Sequence, residues 1–383
     1  MKPEPHHIVI DARIRRSTTG RYADRLVQHL QNVDPFHKYT ILVQPDDDWK
    51  MHAPNFTTVT CPYPQFSVNP LHQLKFAWQL YRLKPDLVHF TMTQQPLLYF
   101  GKIVTFTHDS TMYDFVRRGS TPLPLYKAKM WLYRFLVWWS HRKSDKVVVP
   151  TRYVADDFSK RQPFVAKKLA VTYEASEPAM AVRAKKPEGA PEDFILYVGT
   201  AFPHKNLQRL IEAFEILHEK HPHLKLVITG KREEKHMVEL MEWAKKRPVY
   251  EHIIRPGFVS DPELKWLYEH CRAYVFASLS EGFGLPPLEA MAHGAPVVSS
   301  NATCMPEVYG DAAHYFNAKR PKDIAEKVDE VLTHPKLREQ LIKNGHEQLK
   351  KYSWQKMAEE TLTVYKDVLN EVNTEIKSPL HFE

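Results

Sequence analysis

Two glutamates stand eight positions apart in the stretch AYVFASLSEGFGLPPLEAMAHGAPVVSS (273–300): Glu281 and Glu289. Between them lie Gly282, Phe283, Gly284, Leu285 and the pair Pro286-Pro287. Ionised carboxylates accept hydrogen bonds and can grip a row of sugar hydroxyls. The chain has only 12 glycines, and two of them flank Phe283 after an apolar run, where they let backbone approach a ligand closely. A proline at the first helical position costs no hydrogen bond, so a helix is expected to open at the prolines with Glu289 in its first turn. The loop would then aim free N–H groups at the carboxyl end of a strand, which suits an anion. Glu281 would repel a lone phosphate, whereas a ligand carrying phosphate and hydroxyls fits both halves of the motif.

Other strand-end residues add to this chemistry. GTAFPHKN (199–206) follows the apolar run FILYV and brings Gly199 and Thr200, then Lys205 and Asn206 at a helix start. A lysine beside helix N-terminal amides makes a diphosphate site; the alternative is a solvated lysine beside an asparagine cap. Lys231 and Arg232, after Thr229-Gly230, either add positive charge to the same cleft or form a solvated surface turn, the favoured reading. TFTHDS (105–110) puts His108 and Asp109 at a strand's carboxyl end, a functional position in an open α/β sheet. DARIRRSTTGRYA (11–23) places Gly20 between a strand and a helix, which alone is a weak signal. Its Arg13, Arg15, Arg16 and Arg21 suit an anionic acceptor or simply form a solvated basic loop.

These positions depend on alternating elements. The first half offers strands at 7–12, 39–44, 57–61, 86–91, 102–108, 146–151 and 169–174, with helical patterns at 20–31 and near 70–83. Residues 179–193 are rich in Ala, Pro and charge and read as a linker. A second alternation has strands at 194–198, 224–229, 252–256, 273–278, 296–300 and 314–316, with an apolar stripe through Leu207, Leu210, Ile211, Phe214 and Leu217. Strand–helix alternation argues for parallel sheets covered by helices, and 383 residues favour two domains. The expected division is 1–178, the linker 179–193, 194–352, and a last helix within 353–383 crossing back to the first domain.

Composition narrows the partners. The net charge is +8 and the pI about 9.1, which favours anionic partners; no nucleic-acid-binding motif is present. The 21 histidines form no ligand cluster, so no metal site is expected. Three scattered cysteines and the absence of a secretory pattern point to the cytoplasm. Residues 121–143 interleave Trp131, Tyr133, Phe135, Trp138 and Trp139 with Lys127, Lys129, Arg134, Arg142 and Lys143. Such a helix is a candidate for the inner membrane surface, against the alternative of a helix packed on the first domain with its charges in water.

Taken together, these residues resemble the retaining nucleotide-sugar glycosyltransferases of the GT-B fold, in the family 4 or "group 1" type that includes many bacterial mannosyl- and glucosyltransferases. The likeness covers nearly the whole chain and is strongest from Tyr197 to Asn317, in VGTAFPHKNLQRLIEAF, PGFVSDPELKWLY, SLSEGFGLPPLEAMAHGAPVVSS and PEVYGDAAHYF. The first half matches more loosely, through DAR…TGRYA and THD. The resemblance implies an α/β architecture of two Rossmann-like, doubly wound domains facing a central cleft. It implies that Glu281 holds the donor hexose, that Gly282, Phe283, Gly284 and Leu285 lie near sugar and phosphates, and that Glu289 binds the ribose. Lys205 would neutralise the departing diphosphate, and His108 would reach across the cleft to assist. Gly199, Thr200 and Asn206 complete the donor side; Gly20, Arg21 and Asp109 belong to the acceptor side.

Two departures stand out. The family commonly places an arginine directly after the strand-ending glycine, where this chain has Thr200. Either another cation substitutes or the diphosphate grip is weaker. The usual two-glycine first loop is reduced to Gly20. The implied reaction moves a hexose from a nucleotide diphosphate sugar, GDP-mannose favoured over a UDP-sugar, to a saccharide or lipid-linked saccharide. It would use no resident cofactor and no metal. Retention is expected by front-face transfer, since a double displacement needs a carboxylate nucleophile and Asp109 is the only one nearby in sequence. The rival is a catalytically silent GT-B scaffold or activator of a partner transferase. A dinucleotide-dependent dehydrogenase is excluded, because no G-x-G-x-x-G follows the first strand.

Overall fold

Seven apolar runs of the first half fold as β1 (His7–Asp11), β2 (Lys38–Val43), β3 (Phe56–Thr60), β4 (Leu87–Phe90), β5 (Ile103–Phe106), β6 (Lys146–Val149) and β7 (Leu169–Val171). They pair in parallel, in the order β3-β2-β1-β4-β5-β6-β7. The second half supplies β8 (Phe194–Val198), β9 (Lys225–Thr229), β10 (Ile253–Gly257), β11 (Ala273–Phe276), β12 (Val297–Ser300) and β13 (Ala313–Phe316). These form a second parallel sheet, ordered β10-β9-β8-β11-β12-β13. The computed structural model describes residues 4–65, 67–115, 121–177, 179–230 and 235–370.

Parallel strands are joined by crossovers that cover both sheet faces, so their residues are buried on both sides. The fully buried runs Ile8–Ile10 and Phe194–Tyr197 follow this rule. In each sheet the strand order reverses beside the first strand of its half, at β1/β4 and at β8/β11. That reversal opens a crevice at the carboxyl ends of the strands. Two such sheets, with their strand-end loops in contact, make the GT-B architecture.

The strands stop a residue or more short of several expected ends. β5 ends at Phe106 and β11 at Phe276, so His108 and Glu281 sit on loops beyond them. Helices Pro321–Thr333 and Pro335–Leu349 belong to the second half, the first of them packing on helix Leu207–Lys220. The next helix, Trp354–Leu369, packs on helix Arg21–Val33 of the first half. Its Trp354, Met357, Ala358, Leu362 and Tyr365 share a core cluster with Ile8, Leu26 and Phe106. Residues 179–193 carry no helix or strand.

Candidate active site

The loop after β11 carries the paired glutamates. Gly284 has φ +88°, the left-handed region that favours glycine, and a Cβ there would run into the Tyr309 hydroxyl. That hydroxyl donates to the Gly284 carbonyl at 2.7 Å. Helix Leu285–Ala292 begins one residue before the prolines. The expectation of proline at its first position is therefore corrected: Leu285 takes that place, and Glu289 opens the second turn. Left-handed Gly284 sets the start, turning the chain just before Leu285. Among the described residues, nothing accepts a hydrogen bond from the N–H of Gly282, Phe283 or Gly284.

Lys205 closes a short 3-10 turn, Pro203–Lys205, and its Nζ donates to Glu281 Oε1 at 2.7 Å. Asn206 follows at φ +61°. Its amide donates to the carbonyl oxygens of Ala277 (3.0 Å) and Ala318 (2.7 Å), and its Oδ1 accepts from Arg209. Asn206 thus ties the Lys205 turn to the Glu281 loop and makes no side-chain cap. Gly199 N–H donates to the Thr229 carbonyl, and the Thr200 carbonyl accepts from the Tyr197 hydroxyl at 3.1 Å. Lys231 and Arg232 lie outside the described residues.

On the first domain, His108 Nε2 lies 3.0 Å from the Thr91 carbonyl oxygen. A carbonyl only accepts, so Nε2 carries the proton and Nδ1 presents a lone pair. Burial lowers the His108 pKa to about 4, so the ring is neutral at ordinary pH. Phe106 and Tyr22 pack edge-on against it. Nδ1 is 3.9 Å from Glu174 Oε1. Burial raises the Glu174 carboxyl to about 7, with Arg21 opposing and Asp109 adding to the rise. Asp109 is also raised by burial, and its Oδ1 accepts from its own loop, the Thr111 N–H at 2.8 Å. Sequence reasoning missed Glu174. Its signal is a carboxylate just past β7, which in the sequence alone blends into the tail of the strand.

The two strand-end loops touch directly. A Cβ on Gly282 would overlap the His108 carbonyl oxygen, so only glycine allows this approach. Thr151 Oγ1 donates to the Gly282 carbonyl at 2.9 Å, and the hydroxyls of Thr111 and Ser280 lie 3.0 Å apart. Glu307 of the second domain accepts from the N–H groups of Arg152 (2.7 Å) and Tyr153 (2.9 Å). It thereby caps helix Arg152–Arg161 of the first domain, where a carboxylate suits the orphan amides and the dipole. Arg21 spans the cleft to Glu289 Oε1.

The basic loop is corrected as well. Arg13 is buried and forms a two-pronged pair with Asp11, both bonds 2.7 Å. Arg15 meets Asp47 and Asp24, and Arg16 meets Asp46. Three of the four arginines are therefore neutralised within the first domain, by aspartates that pattern alone does not connect to them. Gly20 packs so tightly against Ile14 and Arg15 that a Cβ would not fit. Beside His108 lies a cavity of about 380 Å³, lined by Thr19, Met92, Gln94, Asp109 and Tyr133 with His204 from the second domain. No group of three His, Cys, Asp or Glu among the described residues could hold a metal ion.

Comparison with known proteins agrees with this fold. The family described as "Glycosyl transferases group 1" matches residues 180–348, and "Glycosyltransferase Family 4" matches residues 19–175. The chain belongs to the GT-B glycosyltransferases of this group 1, family 4 type. Among its relatives, O-antigen chain mannosyltransferase B of Escherichia coli is 34% identical over 178 residues, covering 46% of each chain. The match spans 46% of that relative's length, and 20–26% of the length of the serotype-specific mannosyltransferases WbdA of the same organism. Among solved structures, sucrose-phosphate synthase from Thermosynechococcus elongatus superposes with a TM-score of 0.74, at 16% identity, over 95% of this chain and 99% of that one. Anabaena Alr3699/HepE, in complex with UDP and glucose, gives a TM-score of 0.69 at 15% identity, over 94% of this chain and 100% of that one.

Proposed function

We propose that the protein transfers a hexose, mannose favoured, from a nucleotide diphosphate sugar to a hydroxyl of a saccharide or lipid-linked saccharide, with retention and without a metal. The observation that carries this reading is the strand-end constellation: Glu281 bonded to Lys205, Glu289 one turn into the next helix, and unspent N–H groups between them. Breaking the bond from the anomeric carbon to the phosphate oxygen builds negative charge on the diphosphate. Those amides, and Lys205 once hexose hydroxyls take its place on Glu281, are donors for that charge. Glu281 accepts from hexose hydroxyls and Glu289 from ribose hydroxyls. Neutral His108 offers Nδ1 as an acceptor for a sugar hydroxyl. Asp109 is a poor nucleophile, because burial disfavours its ionised form and its Oδ1 is bonded to its own loop. That favours front-face transfer, in which the departing phosphate oxygen takes the acceptor's proton. The name of the Escherichia coli relative supports mannose as the donor sugar.

A membrane-borne acceptor has separate support. Helix Leu123–Lys143 lines the cavity with Tyr133 and Val137 while exposing Trp131, Leu132, Phe135 and Trp138. Exposed Leu71, Leu74 and Trp78 on helix Pro70–Leu83 extend this face through the 97–98 loop, which accepts from Trp139 and Tyr81. Exposed aromatic and basic side chains together suit an anionic bilayer surface. No helix among the described residues is long and apolar enough to cross a membrane.

The test is a release assay: the protein is incubated with a panel of nucleotide sugars, with and without EDTA, and free nucleoside diphosphate is recorded. Slow hydrolysis of one donor, insensitive to EDTA and lost in Glu281→Ala at an unchanged melting temperature, is expected. Hydrolysis at the parent rate in Glu281→Ala would remove that residue from the site. Silence together with no donor binding by calorimetry would favour the scaffold instead.

A further inference from the structure

Both candidate sugar-binding carboxylates are paired with a cation in this structure. Lys205 meets Glu281 within the second domain, and Arg21 meets Glu289 from the first. Each pair is neutral, so neither as it stands brings net positive charge to a diphosphate. A nucleotide sugar presents its groups in a fixed order: hexose hydroxyls, two phosphates, ribose hydroxyls. Hydroxyls are donors and can replace both cations on the two carboxylates. The displaced cations then face the phosphates lying between them.

We propose that Arg21 is the second diphosphate-binding cation of this site, supplied from across the cleft in place of a charge at Thr200. This rests on the nucleotide-sugar reading given above. Among the described residues, only Nη1 of the Arg21 guanidinium is engaged, and its side chain is 36% exposed. The remaining N–H donors suit the planar, two-pronged recognition of a phosphate. Burial opposes the charge, but Glu289, then Glu177 and Glu174, outweigh it and hold the guanidinium pKa up. The position is anchored, because Arg21 opens helix Arg21–Val33 immediately after the tightly packed Gly20. The connectivity of the ligand completes the case. Ribose carries the first phosphate on its own C5′, so a guanidinium beside a ribose-binding carboxylate stands beside that phosphate.

The test is calorimetric titration of the full chain with GDP and UDP, and competition by guanosine and uridine. Four proteins are compared: the parent, Arg21→Gln, Thr200→Arg, and the double variant. Arg21→Gln is expected to weaken the preferred diphosphate about tenfold to hundredfold. It is expected not to weaken the nucleoside, because ribose no longer competes with Arg21 for Glu289. Thr200→Arg should recover much of that loss in the double variant and gain less in the parent. Diphosphate affinity unchanged in Arg21→Gln overturns the proposal, as does an equal loss for nucleoside and diphosphate, which would make Arg21 a strut for Glu289. If Arg21→Gln does not fold, Arg21→Lys takes its place, with a smaller loss confined to the diphosphate. A parent protein that binds neither diphosphate fails differently, since it overturns the nucleotide-sugar reading and the proposal with it.

Discussion

Glu174 and His108 form a buried acid and base side by side, each in the neutral state that burial favours. The carboxyl ordinarily titrates near 4.5 and is raised to about 7 here. Between those values the folded chain holds a proton that the unfolded chain gives up. Glu174 therefore contributes stability fully below about pH 4.5, and the contribution is lost as the pH rises through about 7. The span corresponds to roughly 3 kcal/mol at most. Melting curves at pH 5 and pH 8 should show the parent losing more stability than Glu174→Gln; parallel losses would mean that Glu174 is ionised in the fold. At this scale the sequence reveals residues that stand just past a strand and before a helix, as Glu281, Lys205 and His108 do. It conceals residues whose meaning lies in a distant partner. Arg13 looks like a free charge until Asp11 is seen gripping it, and Asn206 looks like a cap until Ala277 and Ala318 take its amide.

Elements were more legible than partners. Every expected strand forms, because a buried parallel strand writes itself as a short apolar run bounded by turns. Helix ends were less legible: the start at Leu285 depends on the left-handed turn at Gly284, which a proline pair obscures. Helix Leu123–Lys143 mixes both readings made of it. Lys143 is spent on the Pro96 and Tyr99 carbonyls, and burial lowers its pKa to about 8, as befits a packed helix. Lys127, Lys129 and Trp131 are exposed, and Trp131 is 68% accessible. Flotation with vesicles rich in anionic lipid should recover the parent protein and fail for Lys127→Glu combined with Lys129→Glu and Arg134→Glu. A parent that stays at the bottom of the gradient rejects the membrane face.

Closure of the whole molecule was not legible at all, since it depends on contacts such as Thr151 with Gly282 and Glu307 with the N–H groups of Arg152 and Tyr153. Gly282→Ala places a methyl against the His108 carbonyl and should push the domains apart. Small-angle scattering should report a larger radius of gyration with the melting temperature little changed, and donor turnover should fall at least tenfold if the closed cleft is the working form. An unchanged radius would mean that the loops yield instead. Trp354→Ala tests the returning helix. Trp354 is 6% exposed within the first domain's core cluster, so its loss should cost about 3–5 kcal/mol. Calorimetry should place that loss in the transition of the first domain.

That helix also sets a schedule for the newborn chain. Helix Arg21–Val33 leaves the ribosome early, but the side chains that cover it come from Trp354 to Leu369. About 320 residues, the whole second domain among them, are translated in between, an interval of roughly fifteen to sixty-five seconds at ordinary elongation rates. Throughout it, the apolar flank formed by Leu26 and Leu30 has no lid, and the domain made first is the one finished last. Chaperone demand during synthesis should therefore track the first domain, and a released chain truncated before Trp354 should hold a folded second domain beside an unfinished first one.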